Sequence, residues 1–485
     1  MTQARKLRPW SHLLPTDCMR DVCFFLEPED WCQLRLVCRG ARDDSEWTAS
    51  IVLEWLLRRR SDLKLDAMGS LSDAITSNPL RLVYELTRER LFLVGGGSVD
   101  SGMNSYRLLE EMVPMSSGCV KWEQRREMPR HRGTFKMEAT AWRGKLVLVS
   151  GDGAGMAGTL AAYCPLTDQW TSSLPSLPSP LIFVASAAGN DLQGDSAAGL
   201  YVSGGINKVT SRGSKAVYRL GKDCDICFAT DQSSSPASAL PSSAEWNRLS
   251  DMPSARFGHS SAVYDGKLWV VGGQESLPAP LDNTEVNNCN GEGSFTTAYL
   301  DLATLQWHAG PVMTRRRMWA RLVTVNKQLL VVGGDVECAG NAKGVPTIER
   351  LQRGAKESSW EWGAIQPFPL QRRLFASTSM ARLPLSPIGG SGGIVVFGGC
   401  DQRYESIANW DAWSAREERW QEQEGEIVAE AEAEAETETE TETEAELGTK
   451  GIPENNSCFS LGPLRHNFLG GAAVTVSQTP RSWGW

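Results

Sequence analysis

Apolar positions recur along this chain with two different periods. Over residues 11–60 the period is helical. Met19, Val22, Cys23 and Leu26 fall on one face at three- and four-residue steps. Pro28 interrupts, and Asp30 is placed to cap a second helix carrying Leu34, Val37 and Cys38. A third apolar stretch, IVLEWLLRRR, spans 51–60, and residues 70–90 read as a further helix or linker broken at Pro79.

Beyond residue 90 the character changes to short apolar runs that end in glycine. Six end alike: LFLVGG (91–96), KLVLVSG (145–151), GLYVSGG (199–205), LWVVGG (268–273), LLVVGG (329–334) and IVVFGG (394–399). A tryptophan follows each: Trp122, Trp170, Trp246, Trp307, Trp362 and Trp420. In four repeats an arginine lies about ten residues further on, at Arg132, Arg256, one of Arg315 to Arg317 (taken as Arg316), and Arg372. Leu181 holds that place in another repeat, and the last copy, Arg465, follows a long insertion. Self-similarity at a fixed period signals a repeat architecture.

These units resemble kelch repeats across essentially all of 91–477. The resemblance implies a mainly β fold, a six-bladed β-propeller with one four-stranded blade per repeat. The kelch order within a blade is Arg strand, Gly-Gly strand, third strand, Trp strand. This chain starts at Gly-Gly and ends at Arg, so the first blade should take its inner strand from 465–476.

The segment LPTDCMRDVCFFLEPEDWCQLRLVCRGAR (14–42) resembles the F-box, through Leu14, Pro15, Val22, Leu26, Pro28, Asp30, Leu34 and Val37. Trp31 and Ala41 depart from that family's usual Leu and Trp. The implied organisation is a small all-α F-box at 10–60, a helical linker at 61–90, the propeller at 91–477 and a tail at 478–485. A helical hairpin this short cannot bury all its apolar side chains alone. The resemblance implies that Leu13, Leu14, Pro15, Val22, Leu26, Leu34 and Val37 contact the small Skp adaptor and, through it, a cullin scaffold. The chain would then be a non-catalytic, substrate-recognition subunit of an SCF-type (Skp–cullin–F-box) ubiquitin ligase.

Charge changes the picture little. Residues 422–446 hold twelve glutamates and no Lys or Arg, and taking those twelve from the net charge of −9 leaves the rest at +3. The near-neutral remainder gives no reason to expect nucleic acid. The alternating acidic stretch at 421–450 reads as a disordered insertion in the last connection. The twelve cysteines are too dispersed for a disulfide framework. There is no run of 18 apolar residues and no apolar N-terminal leader, so no membrane is expected. A cytoplasmic or nuclear protein is the expectation.

Strand order locates a candidate binding face. The start of each Arg strand and the end of each Gly-Gly strand share one end of the blade. Arg132, Arg256, Arg316, Arg372 and Arg465 should lie there, with Ser98, Asn207, Gln274, Asp335 and Asp401 just past the diglycines. Two roles stay open for the arginines: pairing with carboxylate, phosphate or carbonyl groups of an extended substrate peptide, or bonding backbone carbonyls of neighbouring blades. The F-box should dock at the opposite end.

Catalytic chemistry is thinly represented. None of the five histidines forms an HxH or HExxH pair, and His259 occupies an apolar packing position. CDIC (224–227) is a lone CxxC, short of the four ligands of a structural zinc site. No metal or cofactor is expected. The rival reading is a propeller enzyme, or a small-molecule-binding protein, that uses the central funnel.

Overall fold

The computed structural model describes residues 89–98, 104–105, 107–114, 120–129, 137–151, 155–165, 167–171, 174–189, 197–221, 245–275, 294–334, 347–354, 359–367, 373–383, 393–400, 410–414, 419–421 and 472–476. The expected F-box, the CxxC pair and the tail lie outside them, as do the linker and the acidic insertion except at their edges, where Arg90 begins a strand and Gln421 ends one instead of belonging to a helical linker and a disordered segment.

Six four-stranded antiparallel sheets form the blades. Blade 1 comprises, from the inside outwards, Ala472–Val476, Arg90–Val94, Leu109–Pro114 and Val120–Gln124. Blade 2 comprises Glu138–Trp142, Lys145–Val149, Leu160–Cys164 and Gln169–Thr171. Blade 3 is Ala185–Gly189, Gly199–Ser203, Val217–Leu220 and Trp246–Arg248. Blade 4 is Ser260–Tyr264, Lys267–Val271, Thr297–Asp301 and Gln306–Ala309. Blade 5 is Arg321–Val325, Gln328–Val332, Thr347–Arg353 and Trp360–Pro367. Blade 6 is Arg373–Leu383, Gly393–Cys400, Trp410–Ser414 and Arg419–Gln421. Each inner strand touches the inner strands of the blades before and after it, so the six close into a ring.

The ring closes through blade 1, where Ala472–Val476 pairs with Arg90–Val94 from Arg90↔Val476 to Val94↔Ala472. This is the split blade expected from the order of the landmarks.

The second strand of a blade is apolar in its central residues because both of its faces are covered there. Side chains alternate across a strand, and each set meets a different neighbour. Phe92 and Val94 pack with Leu146, Leu148 and Tyr163 of blade 2, whereas Leu91 and Leu93 pack with Val395 and Phe397 of blade 6. Val147 and Val149 join Leu200 and Val202 of blade 3. Tyr201 faces Leu268 and Val270 of blade 4, and Trp269 and Val271 face Leu329 and Val331 of blade 5. Leu330 and Val332 then meet Ile394 and Val396 of blade 6. Cohesion is therefore shared among successive blade–blade contacts.

The repeated glycines and tryptophans stitch these contacts. The first glycine of each pair extends the ladder to its own third strand, as in Gly204 N–H to Ala216 O at 2.9 Å and Gly272 N–H to Thr296 O at 3.1 Å. The second turns its N–H to the next blade: Gly205 donates to Arg256 O at 2.9 Å, and Gly273 to Arg317 O at 2.8 Å. Gly273 sits at φ +81°, and a Cβ there would stand 2.7 Å from the Phe257 carbonyl, so both backbone and space require glycine. Where Ser150 replaces the first glycine of blade 2, its hydroxyl donates to Leu181 O at 2.6 Å. In blades 2, 3 and 4 the tryptophan indole N–H reaches back to the connection that precedes the blade, whereas the Trp122 and Trp362 indoles of blades 1 and 5 are buried by packing with no such bond among the described residues. Trp170 donates to Arg126 O, Trp246 to Pro175 O and Trp307 to Ser250 O, at 2.8, 2.9 and 2.9 Å.

Candidate recognition face

Arg132, Arg372, Arg465, Asp335 and Asp401 lie outside the described residues, as do Leu13, Leu14, Pro15, Val22, Leu26, Leu34 and Val37. Arg256, Arg316, Asn207 and Gln274 fall within them.

Arg256 is only 3% exposed. Its Nη1 donates to Gly272 O at 3.0 Å and its Nη2 to Ser254 Oγ at 2.8 Å, with Glu275 at 3.4 Å. Of the two roles left open by the sequence, the geometry here is backbone bonding. The carbonyl belongs to the arginine's own diglycine turn rather than to a neighbouring blade.

The same geometry in blade 5 is made by Arg317, not Arg316. Arg317 is fully buried; its Nη1 donates to Gly333 O at 2.6 Å and its Nη2 to Glu349 at 2.7 Å. This shifts the repeat register by one residue in blade 5, so Ala320 and Val184 are the counterparts of His259. Arg316 is exposed, with its guanidinium 5.3 Å from the centre of the Phe295 ring. Asn207 forms its own turn, its Oδ1 accepting the Val209 and Thr210 N–H groups at 2.9 and 3.1 Å. Gln274 is buried and exchanges backbone hydrogen bonds with Phe257.

His259 is packed inside, with its Nε2 2.9 Å from the Ser203 hydroxyl. Burial, with the Arg256 guanidinium adding to it, pushes the imidazole down to about 3. The ring is therefore neutral near pH 7.

Two features on the propeller axis were invisible in the sequence. The first is an aromatic group where the inner strands begin. Phe183, Gly258 and Trp319 occupy equivalent positions, with φ of 57°, 60° and 59°. A non-glycine residue in this left-handed region is uncommon and, for a bulky side chain, strained. The Phe183 and Trp319 rings meet at 5.0 Å over Gly258, with Phe257 6.1 and 6.2 Å from them. Trp319 N–H donates to Gly258 O at 2.6 Å, and Gly258 N–H faces Phe183 O at 3.4 Å.

The second is an ion pair across the axis. Arg321 begins the inner strand of blade 5 and Glu138 that of blade 2, diametrically opposite in the ring. Arg321 Nη1 lies 2.5 Å from Glu138 Oε1 and 2.6 Å from Oε2. Burial raises the Glu138 carboxyl above the ordinary carboxylate range, and Arg321 opposes that shift. Sequence distance hid the pair, since the partners are 183 residues apart. Among the described residues no cluster of three or more His, Cys, Asp or Glu side chains is arranged to hold a metal ion.

A family model described as F-box domain matches residues 12–43. No curated protein matches the chain. A solved structure titled "Structure of YjhT" is similar at 13% identity and a TM-score of 0.46, covering 68% of this chain and 97% of that one. A likeness that weak carries no argument, and the propeller is read from the six sheets themselves. The chain thus carries an F-box domain at residues 12–43 ahead of a β-propeller of six four-stranded blades.

Proposed function

We propose that this chain is the substrate-recognition adaptor of an SCF-type ubiquitin ligase. The observation that carries the reading is the F-box match at 12–43. The F-box engages the Skp adaptor through Leu13, Leu14, Pro15, Val22, Leu26, Leu34 and Val37, and thereby a cullin. The propeller, of kelch type by its diglycine and tryptophan landmarks, holds a substrate protein, and other subunits transfer ubiquitin. The working compartment is the cytosol or the nucleus. The rival is an enzyme or small-molecule receptor using the funnel.

The test is co-purification of the full chain with the Skp adaptor and cullin. The Leu14→Ala, Pro15→Ala double variant should lose the adaptor while the propeller stays folded. Removing a buried leucine typically costs about 2–5 kcal/mol, enough for a large drop in affinity. Unchanged co-purification of the double variant would remove the basis of this reading.

A further inference from the structure

Arg256, one of the arginines first expected to meet a substrate, and its structural counterpart Arg317 are consumed by their own blades. Arg321, which the repeat spacing did not single out, differs. It lies one layer deeper, where the six inner strands present Ala472, Glu138, Ala185, Ser260, Arg321 and Ser379 at equivalent register, each opposite the residue preceding a diglycine or its substitute. Arg321 and Glu138 are the two charged residues of this layer.

Their pairing is incomplete. Both carboxylate oxygens are served by the single nitrogen Nη1. Arg321 Nε and Nη2 make no hydrogen bond among the described residues, and the side chain keeps 25% of its surface exposed. Guanidinium bonds carboxylate best as a two-pronged fork, and here one edge of the fork is unused. Glu138 keeps 15% of its surface, and burial works against its charge. Two residues before Arg321, on the approach to the same strand, Trp319 stands half-buried against Phe183 in a strained backbone conformation. Strain of this kind is retained where the surroundings fix it, often at ligand contacts.

We propose that this axial site recognises a carboxylate side chain of an extended substrate segment. The carboxylate takes the Nε–Nη2 edge of Arg321, with the Trp319–Phe183 aromatic pair as the apolar neighbour. Glu138 acts as a built-in competitor that keeps the arginine partnered when no substrate is bound. The site deepens the adaptor reading and rests on it for its biological meaning.

The experiment uses the full chain bound to the Skp adaptor. The probe is an array of extended decapeptides carrying one central Asp or Glu, beside matched copies carrying Asn or Gln. Wild type should retain acidic peptides over their amide copies. Arg321→Met should weaken that retention at least tenfold. Glu138→Gln, which keeps the size and removes the competing charge, should strengthen it several-fold. A gain of binding is a result that a merely destabilised protein cannot imitate. No preference for carboxylate over amide, or a preference indifferent to both substitutions, overturns the proposal. Adaptor binding is scored separately: a chain that binds no Skp adaptor sinks the ligase reading, whereas a chain that binds it but shows no Arg321-dependent carboxylate preference sinks this inference alone.

Discussion

Acidification should destabilise this propeller through one histidine. His259 is 5% exposed, bonded to Ser203 and beside Arg256. Its ordinary value is 6.5, and the folded environment lowers it to about 3. When the pH falls below 6.5 the unfolded chain takes up a proton that the folded chain refuses, so stability falls as pH falls. The loss begins near 6.5 and continues down to about 3. Each unit in that window is worth about 1.4 kcal/mol, so the residue costs about 2 kcal/mol by pH 5. That is a large share of the roughly 5–15 kcal/mol that keeps a domain folded. Histidine C2 deuterium exchange, read by mass spectrometry, gives the titration of this residue directly. Urea unfolding of wild type and His259→Gln at pH 7.5, 6 and 5 gives the energy. The stability difference between the two proteins should shift by about 2 kcal/mol in favour of the variant between pH 7.5 and pH 5. A His259 midpoint near its ordinary value, or parallel pH slopes in the two proteins, would refute the argument.

Gly273→Ala should lower stability by about 1–3 kcal/mol, because alanine at φ +81° is strained and its Cβ meets the Phe257 carbonyl; thermal melting measures it. Deleting residues 464–485 removes the inner strand of blade 1, including the buried Val474 and Val476, worth about 3–6 kcal/mol in apolar burial alone. The melting temperature should drop sharply, whereas deletion of 424–447 should leave it nearly unchanged; equal melting of the two deletions would contradict the split-blade closure. Arg317→Met leaves Glu349 buried without its cation and should cost about 3–5 kcal/mol. Arg316→Met, at an exposed position, should cost under about 0.5 kcal/mol in the same chemical denaturation assay.

The propeller was legible because its landmarks recur with a mechanical role. The diglycines of blades 3 and 4 hydrogen-bond both their own blade and the next, and the tryptophans of blades 2, 3 and 4 tie the outer strand to the preceding connection. The closing strand could be placed because the landmarks begin partway through a blade. The candidate recognition face was less legible. Three consecutive arginines, Arg315 to Arg317, fit the repeat spacing equally well, and only packing shows that Arg317 is the buried one. Asn207 and Gln274 fall at the expected end of their blades, but Asn207 is engaged with its own turn and Gln274 is buried. Glu138 and Arg321 carry no local signal, because their proximity follows from ring closure and the opposition of two blades. The left-handed backbone at Phe183 and Trp319 is likewise set by stitches between blades and has no sequence signature.

The pairing of Ala472–Val476 with Arg90–Val94 also sets an order of events during synthesis. The ribosome makes the F-box segment before the propeller, and the closing strand after all the other strands of the ring. At roughly 5–20 residues per second, the partner strands emerge roughly 20–80 s apart. Throughout that interval Arg90–Val94 lacks its inner neighbour, and the apolar side chains that Val474 and Val476 will cover stay open to solvent and to chaperones. A chain truncated by premature termination or proteolysis between the F-box segment and residue 472 keeps that segment but cannot close its ring. On the adaptor reading proposed above, such fragments would compete for the Skp adaptor without a closed propeller to hold a substrate.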